Sequence, residues 1–363
     1  MLDRSHFKNI DWWLIFLVLV NSLIGVFMIH SSSHYIPGNY AQRQLFWIIA
    51  GLLVLFVFIS IDYNYFIEYS PYIYGVAVLI LVMVLLFGRL TAGTKSWIKL
   101  PFFQIQPSEI TKIVVILLLA YLFKELRNPL ISMKSSLLSS GLIMVPCMLV
   151  ALQPDLGTAL TYVPILLGAF LLAGVNKKIV ALLIIFALVL GLSGWNFFLK
   201  DYQKDRIKTL IFPKKDPLGA GYHTLQSKIA IGSGGLFGKG YKKGTQSQLK
   251  FLPARHTDFI FSVIGEEFGF VGVVGVLFFY FLFISRLLHS IYKSRNRAGV
   301  YLIFMVFLMF VTQFLINVLM TVGLFPVAGI PLPLYSYGGS SLLTSYIAVA
   351  LVLNVKMRRF VNI

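Results

Sequence analysis

The sequence is poor in charged residues and in cysteine. Asp, Glu, Lys and Arg make up only 12% of its 363 residues, and Cys147 is its one cysteine. A soluble domain has about 25% charged residues, so this composition excludes a soluble enzyme, a disordered protein and a nucleic-acid-binding arm. One cysteine can form neither an intrachain disulfide nor a cysteine-based metal site. Because Cys147 also lies inside an apolar run, thiol chemistry is excluded as well.

Apolar residues are abundant instead, and they occur in long runs. They make up 58% of the chain, and a helix that spans a bilayer needs about 20 mostly apolar residues. We therefore predict an all-α polytopic membrane protein with ten transmembrane helices. The predicted spans are Trp12–Ile29, Gln44–Ile61, Tyr72–Phe87, Ser108–Phe123, Ser136–Leu152, Gly157–Gly174, Ile179–Phe198, Phe259–Leu288, Gly299–Val322 and Gly338–Val355.

The basic residues predict the orientation of these spans. Lys and Arg together number 31, against 13 Asp and Glu. If the N-terminus is cytoplasmic, the short inner segments contain far more of them than the short outer loops, as is typical of cytoplasmic segments. An even number of spans then places both termini in the cytoplasm. Most other basic residues lie in one large extracytoplasmic loop, residues 199–258, and we expect residues 1–363 to form a single transmembrane domain.

The ionisable residues within or beside the spans gather on one side of the membrane. Glu109 and Lys112 begin the fourth span at a spacing that places them on one helical face. Asp155 lies at the outer junction of spans five and six, and Asp258 opens span eight. A transporter would instead have such groups near the midplane. Because ionisable groups in a bilayer are costly and usually functional, the pattern favours chemistry at the outer surface.

Structural interpretations of these residues remain open. Glu109 and Lys112 could form an ion pair that holds two helices together, and Asp258 could be a helix N-cap, a position that favours aspartate. Span eight also carries a stripe of small residues below Asp258. Close helix packing explains this stripe more simply than a groove for a lipid chain does. The stripe consists of Ser262, Gly265, Gly269 and Gly272.

The large outer loop is basic and rich in glycine, with the sequence IGSGGLFGKG at residues 231–240. Exposed backbone N–H groups beside Lys239 suit a phosphate, although attraction to anionic lipid headgroups is the simpler interpretation of such a loop. The segment is not a Walker motif, because Gly240 follows Lys239 where Ser or Thr is required. The six histidines show no metal-ligand spacing.

Four separated motifs resemble those of the SEDS family (shape, elongation, division and sporulation). They extend over nearly the whole chain, and four separated motifs together argue against a chance match. Ala254 departs from the family pattern, which has glutamate at this position. The motifs are FQIQPSE at 103–109 with Lys112, QPDLGTA at 153–159, LPARHTDFIF at 252–261 with Glu266 and Glu267, and PLPLYSYGGSS at 331–341.

The resemblance implies a peptidoglycan glycosyltransferase that polymerises lipid II at the outer face of the bacterial plasma membrane. It implies ten spans with a core similar to that of GT-C glycosyltransferases. The implied partners are undecaprenyl lipids, a class B penicillin-binding protein that crosslinks the new glycan, and other membrane proteins of the elongation complex. The essential aspartate of the family falls on Asp258.

From this resemblance we expect Asp258 to act as general base on the acceptor hydroxyl, with undecaprenyl diphosphate as the leaving group. Desolvation should raise the pKa of Asp258, and nearby Arg255 should oppose the rise. A divalent cation (Mg or Mn) could assist at the diphosphate, but the sequence shows no ligand set for it. The residues expected to bind substrate are Glu109, Lys112, Asp155, Arg206, Lys239 and Ser336, with Arg206 and Lys239 at the diphosphate.

Two other classes of function remain open, a lipid II flippase and a non-catalytic scaffold for a penicillin-binding protein. A flippase must expose polar groups to both faces of the membrane in turn. Glu266 and Glu267, deeper in span eight, are the main residues that favour it. A scaffold would tolerate the loss of Asp258.

Overall fold

The computed structural model describes residues 9–91, 94–99, 104–125, 131–174, 220–249, 251–294 and 296–358, together with residues 179, 181, 185, 204, 205, 209 and 210. These residues form a mostly helical bundle. Its helices are α1 Trp12–Ser32, α2 Tyr40–Ser60, α3 Tyr63–Glu68, α4 Ser70–Phe87, α5 Pro107–Phe123, α6 Met133–Leu152, α7 Leu156–Leu160, α8 Tyr162–Ala173, α9 Ala220–Ser233, α10 Thr245–Gln248, α11 Ile260–Ile291, α12 Arg297–Thr321 and α13 Gly339–Met357.

The long helices agree with the predicted spans. Eight helical segments among the described residues are long and apolar enough to cross a membrane, and each corresponds to a predicted span. A ninth predicted span, Ser108–Phe123, is α5. Large apolar side chains such as Leu53, Leu79 and Phe281 are exposed on the outside of the bundle, as expected for contact with lipid. The predicted seventh span, Ile179–Phe198, lies outside the described residues, so the count of ten stays a prediction.

A small antiparallel sheet accompanies the helices. Its strands are β1 Arg89–Thr91, β2 Thr94–Lys99 and β3 Gln104–Ile105, in the order β1-β2-β3. Lys95 N donates to the carbonyl of Gln153 at 3.3 Å, which fixes the sheet to the end of α6. The sequence analysis missed this sheet, because strands of three, six and two residues are too short for a period-two pattern to be recognised.

Helix α5 lies at the centre of the bundle. Its residues 111–120 are all buried, and it packs against α4, α12 and α13. Pro107 occupies the first turn of α5, where its missing N–H leaves no helical hydrogen bond unmade. The central helix therefore begins beside β3, at the same end of the bundle as Asp258, and this position places Glu109 and Lys112 near that end.

Helix α11 is interrupted at Gly269, which has a φ of 63° and a ψ of −157°. Glycine adopts such a conformation without steric cost. Segment 234–240 lies in the break and exchanges hydrogen bonds with both sides of it, so that the interrupted helical bonds are replaced. The N–H groups of Phe270 and Val271 donate to Gly235 O (2.9 Å) and Leu236 O (3.1 Å), and those of Lys239 and Gly240 donate to Glu266 O (3.0 Å) and Glu267 O (2.9 Å).

The small-residue stripe of α11 is covered by α9 and by segment 234–240. Ser262 Oγ lies 2.6 Å from Ser227 Oγ on α9. A Cβ atom on Gly265 would lie only 3.2–3.4 Å from Ile231 of α9. These contacts support close packing as the interpretation of the stripe, since a lipid chain would need an uncovered groove.

At the end of the bundle opposite Asp258, Asp11 joins three helices. Its carboxylate caps α1, accepts hydrogen bonds from Arg286 Nε (2.7 Å) and Nη2 (2.9 Å) of α11, and pairs with Lys356 of α13. Burial opposes ionisation of Asp11, but the hydrogen bonds from Arg286 and Lys356 outweigh it, so the pKa of Asp11 is lowered. We call these three residues the Asp11 cluster.

Candidate active site

Asp258 lies in a turn immediately before α11 and is half-buried. The turn is organised by Ala254, whose carbonyl accepts from the N–H groups of Thr257 (3.1 Å), Asp258 (3.0 Å) and Phe259 (3.3 Å). Ala254 adopts a positive φ of 46° to make this turn. The N-cap of α11 is Phe259, which makes no side-chain capping bond. Phe259, and not Asp258, is therefore the N-cap residue of α11.

The Asp258 carboxylate borders the segment between α12 and α13. A Cβ atom built on Gly329 would lie 3.7 Å from Asp258 Oδ2, and Gly329 has a positive φ of 67°. Because residue 329 is a glycine, it places no side chain against the carboxylate.

The backbone of the Asp258 turn is bound to the same segment. Tyr337 N donates to His256 O at 2.9 Å, and Ser336 Oγ donates to Thr257 O at 2.5 Å. Ser336 is buried, and its hydroxyl also accepts from Leu332 N. Ser336 was expected to contact substrate, but the structure engages its hydroxyl with backbone.

Asp155 approaches segment 328–330 from another side. It caps α7 by accepting from Thr158 N (3.1 Å) and Thr158 Oγ1 (3.0 Å), and it accepts from Gln106 Nε2 at 2.7 Å. Gly157 packs directly on the carbonyl of Ala328. Gly157, two residues after Asp155, and Asp258 therefore both border segment 328–330, so Asp155 and Asp258 lie at the same end of the bundle.

Glu109 and Lys112 form an ion pair within α5. Lys112 Nζ lies 2.7 Å from Glu109 Oε1, and the two side chains are 0% and 4% exposed. The pair is contained in one helix, so it does not itself join two helices. Burial raises the pKa of Asp155 above its ordinary value, the charge on Glu109 adds to the rise, and Thr158 and Lys112 oppose it. Glu109, Lys112 and Asp155 therefore form one electrostatic group.

Lys239, expected at the diphosphate, is held by Glu266. Its Nζ lies 2.9 Å from Glu266 Oε1 and 2.7 Å from Thr245 Oγ1. Glu266 also accepts from Gln246 N (2.8 Å) and Ser247 N (3.0 Å) at the start of α10. The charge of Lys239 is thus already paired. Arg206, the other expected diphosphate ligand, lies outside the described residues.

Glu267 is fully buried and binds α1 and α10. It accepts from Ser31 Oγ at 2.6 Å and from Gln248 Nε2 at 3.2 Å. Both Glu266 and Glu267 therefore fix residues of the long loop on the Asp258 side of the break in α11. The observation that favoured a flippase, unexplained acidic groups within the span, is accounted for by these contacts.

The residues that precede Asp258, Arg255 and His256, contact other parts of the chain. Arg255 is buried and donates from Nε to Ser32 O at 2.6 Å and from Nη1 to Ser247 O. The His256 ring packs against Tyr40, with centroids 4.8 Å apart. Burial lowers the pKa of His256, and the charge on Arg255 lowers it further. Residues 252–256 also line a cavity of about 290 Å³ together with Ile36 and Pro37.

Sequence reasoning missed two residues beside Asp258. Gly329 was not singled out, and Asn317 was overlooked although it lies in an otherwise apolar run. Asn317 is fully buried, and its Nδ2 donates to Asp258 O at 2.9 Å and to Ile330 O at 2.7 Å. A polar amide in a predicted span was the signal that could have identified it, because a buried amide N–H needs a hydrogen-bond acceptor.

The bundle and its polar end together have the form of a membrane-embedded enzyme with its site at one membrane surface. The family described as "Cell cycle protein" (FtsW/RodA/SpoVE) matches residues 11–360. The chain belongs to this family, which confirms the resemblance drawn from the four motifs, and it is a multi-pass membrane protein.

Relatives with similar sequences carry the name peptidoglycan glycosyltransferase. MrdB of Escherichia coli (strain K12) is 37% identical over 98% of this chain and 95% of its own length. RodA of Treponema pallidum is 34% identical over 97% and 98%. A probable peptidoglycan glycosyltransferase FtsW of Trichlorobacter lovleyi is 33% identical over 97% and 95%.

Solved structures have the same fold. A chain of a peptidoglycan synthase complex, studied for its coordination of polymerization and crosslinking, matches with a TM-score of 0.83 and 30% identity over 97% of this chain and 98% of its own. The rod shape determining protein RodA of Thermus thermophilus matches with a TM-score of 0.72 and 30% identity over the same shares.

Proposed function

We propose that the protein is a peptidoglycan glycosyltransferase that polymerises lipid II into glycan strands at the outer face of the plasma membrane during cell elongation. The names of the relatives MrdB and RodA support the activity. We assign the chain to the RodA branch because residues 216–223, 226–235 and 244–246 are closer in sequence to RodA than to FtsW. Both kinds of relative match the chain, so the branch is part of the proposal.

The observation that carries the mechanism is the position of the half-buried Asp258 carboxylate at the boundary of α11, beside Gly329. We assign it the role of general base: it takes the proton of the acceptor sugar hydroxyl while that oxygen attacks the anomeric carbon of the donor. The bond from this carbon to the diphosphate oxygen breaks, undecaprenyl diphosphate leaves with the electron pair, and the anomeric centre is inverted. A positioned base accelerates such a step about 10²–10⁴-fold.

The leaving diphosphate needs positive charge, because negative charge develops on it in the transition state. Lys239 is a weak candidate, since Glu266 already pairs with it at 2.9 Å, and binding would require that pair to be shared or broken. Arg206 remains the better proposed ligand. We assign Glu109, Lys112 and Asp155 to the wall of the substrate site, where their charges act together.

The orientation belongs to the same proposal. The bias of basic residues supports cytoplasmic termini, and the Asp11 cluster then marks the cytoplasmic end of the bundle. Asp258, at the opposite end, faces the outer surface, where lipid II is used. Single-cysteine labelling from either side tests this: a cysteine at Ala254, which is exposed, should react from outside only.

Polymerisation of purified lipid II tests the catalytic assignment. Asp258→Ala should lower the rate about 100-fold or more, because the base is lost. Asp62→Ala is the matched control, since Asp62 lies beside α3 and pairs with Arg358 at the Asp11 end. A folded Asp258→Ala protein that polymerises at the wild-type rate would show the assignment to be wrong.

A class B penicillin-binding protein is the proposed partner. The similarity to a chain of a peptidoglycan synthase complex supports such an association. The scaffold alternative predicts instead that wild type and Asp258→Ala both bind the partner and that neither forms polymer from purified lipid II. Movement of labelled lipid II between leaflets without polymer would favour a flippase.

A divalent cation at the diphosphate is the last part of the proposal. Within the described ranges, no group of three or more His, Cys, Asp and Glu side chains could hold a metal ion. A cation would therefore be bound mainly by the substrate diphosphate. Polymerisation assays with and without a chelator test this, and unchanged rates would remove the cation from the mechanism.

A further inference from the structure

We propose that Asn317 and Ser336 are positioning residues for Asp258. They hold the backbone of the Asp258 turn so that the carboxylate stays beside Gly329. The inference rests on the proposed function, in which Asp258 is the general base.

Three consecutive carbonyls of the turn each accept a hydrogen bond from the part of the chain that extends from α12 to the start of α13. His256 O accepts from Tyr337 N, Thr257 O accepts from Ser336 Oγ at 2.5 Å, and Asp258 O accepts from Asn317 Nδ2 at 2.9 Å. Two of the three donors are side chains, so they can be removed by substitution without changing the backbone.

Each of the two side chains also binds the segment that carries Gly329. Asn317 Nδ2 donates to Ile330 O at 2.7 Å, and Ser336 Oγ accepts from Leu332 N at 2.8 Å. Asn317 is 0% exposed and Ser336 is 5% exposed, so water cannot readily replace these bonds. The Asp258 turn and segment 329–332 are therefore fixed relative to each other.

The turn needs such support because it is not part of a regular helix. It depends on Ala254, which adopts a positive φ of 46° that is unfavourable for a residue with a Cβ atom. Loss of either side chain leaves the turn free to move away from segment 329–332. A displacement of about 1 Å at a catalytic group can cost about 10²-fold in rate.

The experiment compares Asn317→Ala and Ser336→Ala with Asn354→Ala in lipid II polymerisation. Asn354 is the matched control: it is fully buried, and its Nδ2 also bridges two carbonyls, those of Phe58 and Ile61, at the Asp11 end. We expect Asn317→Ala and Ser336→Ala to lower kcat about 10- to 100-fold with little change in KM. Asn354→Ala should keep the wild-type kcat at an equal or larger loss of melting temperature, because Asn354 Oδ1 also accepts from Tyr63 N and Arg358 Nε.

A second measurement separates positioning from a general loss of folded protein. In an Asp258→Glu background the carboxylate is already displaced. Asn317→Ala should therefore lower kcat less than about threefold in that background, because the effects of coupled residues are not additive. An equal fold-decrease in kcat in both backgrounds, or an equal kcat for Asn317→Ala and Asn354→Ala, would overturn the inference while leaving the base assignment intact. Full activity of Asp258→Ala would instead overturn the proposed function itself.

Discussion

The carboxylate of Asp258 borders a residue that has no side chain. At Gly329 the backbone has a positive φ of 67°, and the Cβ position lies 3.7 Å from Asp258 Oδ2. In the proposed mechanism, a methyl group at residue 329 would lie against the carboxylate that takes the proton of the acceptor hydroxyl.

We therefore expect Gly329→Ala to lower the polymerisation rate strongly, by tenfold or more if the methyl group displaces the hydroxyl by about 1 Å. Gly235→Ala is the control, since Gly235 has a similar φ of 57° and nothing within 4 Å of its Cβ position. It reports backbone strain alone, which costs about 1–3 kcal/mol of stability. Equal rates for the two variants would show that strain, and not access, determines the loss.

His256 should make stability depend on pH. Burial and the charge on Arg255 lower its pKa, so the unfolded chain binds a proton at about pH 6.5 before the folded protein does. Stability is then lost as the pH falls from about 6.5 through the lower folded pKa. Melting temperatures between pH 8 and pH 5 should fall in the wild type and fall less in His256→Gln, and parallel curves would contradict this.

Among the helices, α11 could be predicted from sequence as a span, but its interruption could not. Its apolar length identified it as a span, but its interruption at Gly269 was not recognised. In the sequence Gly269 belonged to a stripe of glycines, and nothing distinguishes a glycine that packs against a helix from one that breaks it. Only the docking of segment 234–240 into the break makes the distinction.

The importance of the break can be measured. A Cβ atom on Gly269 would collide with backbone atoms of Leu236 and Gly238, so Gly269→Ala should displace segment 234–240 and lower the melting temperature. Gly275→Ala in the same helix meets nothing within 4 Å and should be neutral or stabilising by about 1 kcal/mol. Proteolysis of segment 234–240 should accelerate only in Gly269→Ala, and equal cleavage of both variants would argue against the coupling.

The candidate site shows the same division between local and distant signals. Asp258, Glu109, Lys112 and Asp155 were found from sequence, because ionisable residues in apolar surroundings are conspicuous. Their partners were not found, because the bonds join distant parts of the chain: Asn317 and Asp258 are 59 residues apart, and Ser336 and Thr257 are 79 residues apart. The pairing of Lys239 with Glu266 was missed for the same reason.

For the molecule as a whole, the Asp11 cluster joins α1, α11 and α13 at the end remote from the site. Asp11 and Lys356 are almost fully buried, with side chains 2% and 7% exposed. Removing one partner of a buried pair leaves the other charge without compensation. The cluster therefore contributes to the stability of the bundle.

We expect Asp11→Asn to destabilise the protein by about 3–5 kcal/mol, while folded protein retains its rate per molecule. Asp62→Asn, which weakens a more exposed pair with Arg358, should cost at most about 1 kcal/mol. Because the pKa of Asp11 is lowered from 3.8, its contribution is complete above that pH and is lost as the pH falls through the lower value. Denaturation in detergent over this pH range measures it.

The enclosure of α5 has a consequence for how the protein is made. At 17 residues, α5 is about 26 Å long, shorter than a hydrocarbon core of about 30 Å, and it carries Glu109 and Lys112. Two of the helices that enclose it, α12 and α13, are synthesised long after it leaves the ribosome. The centre of this protein is therefore completed last. Until α12 and α13 are inserted, the newly made chain must keep Glu109 and Lys112 out of contact with lipid.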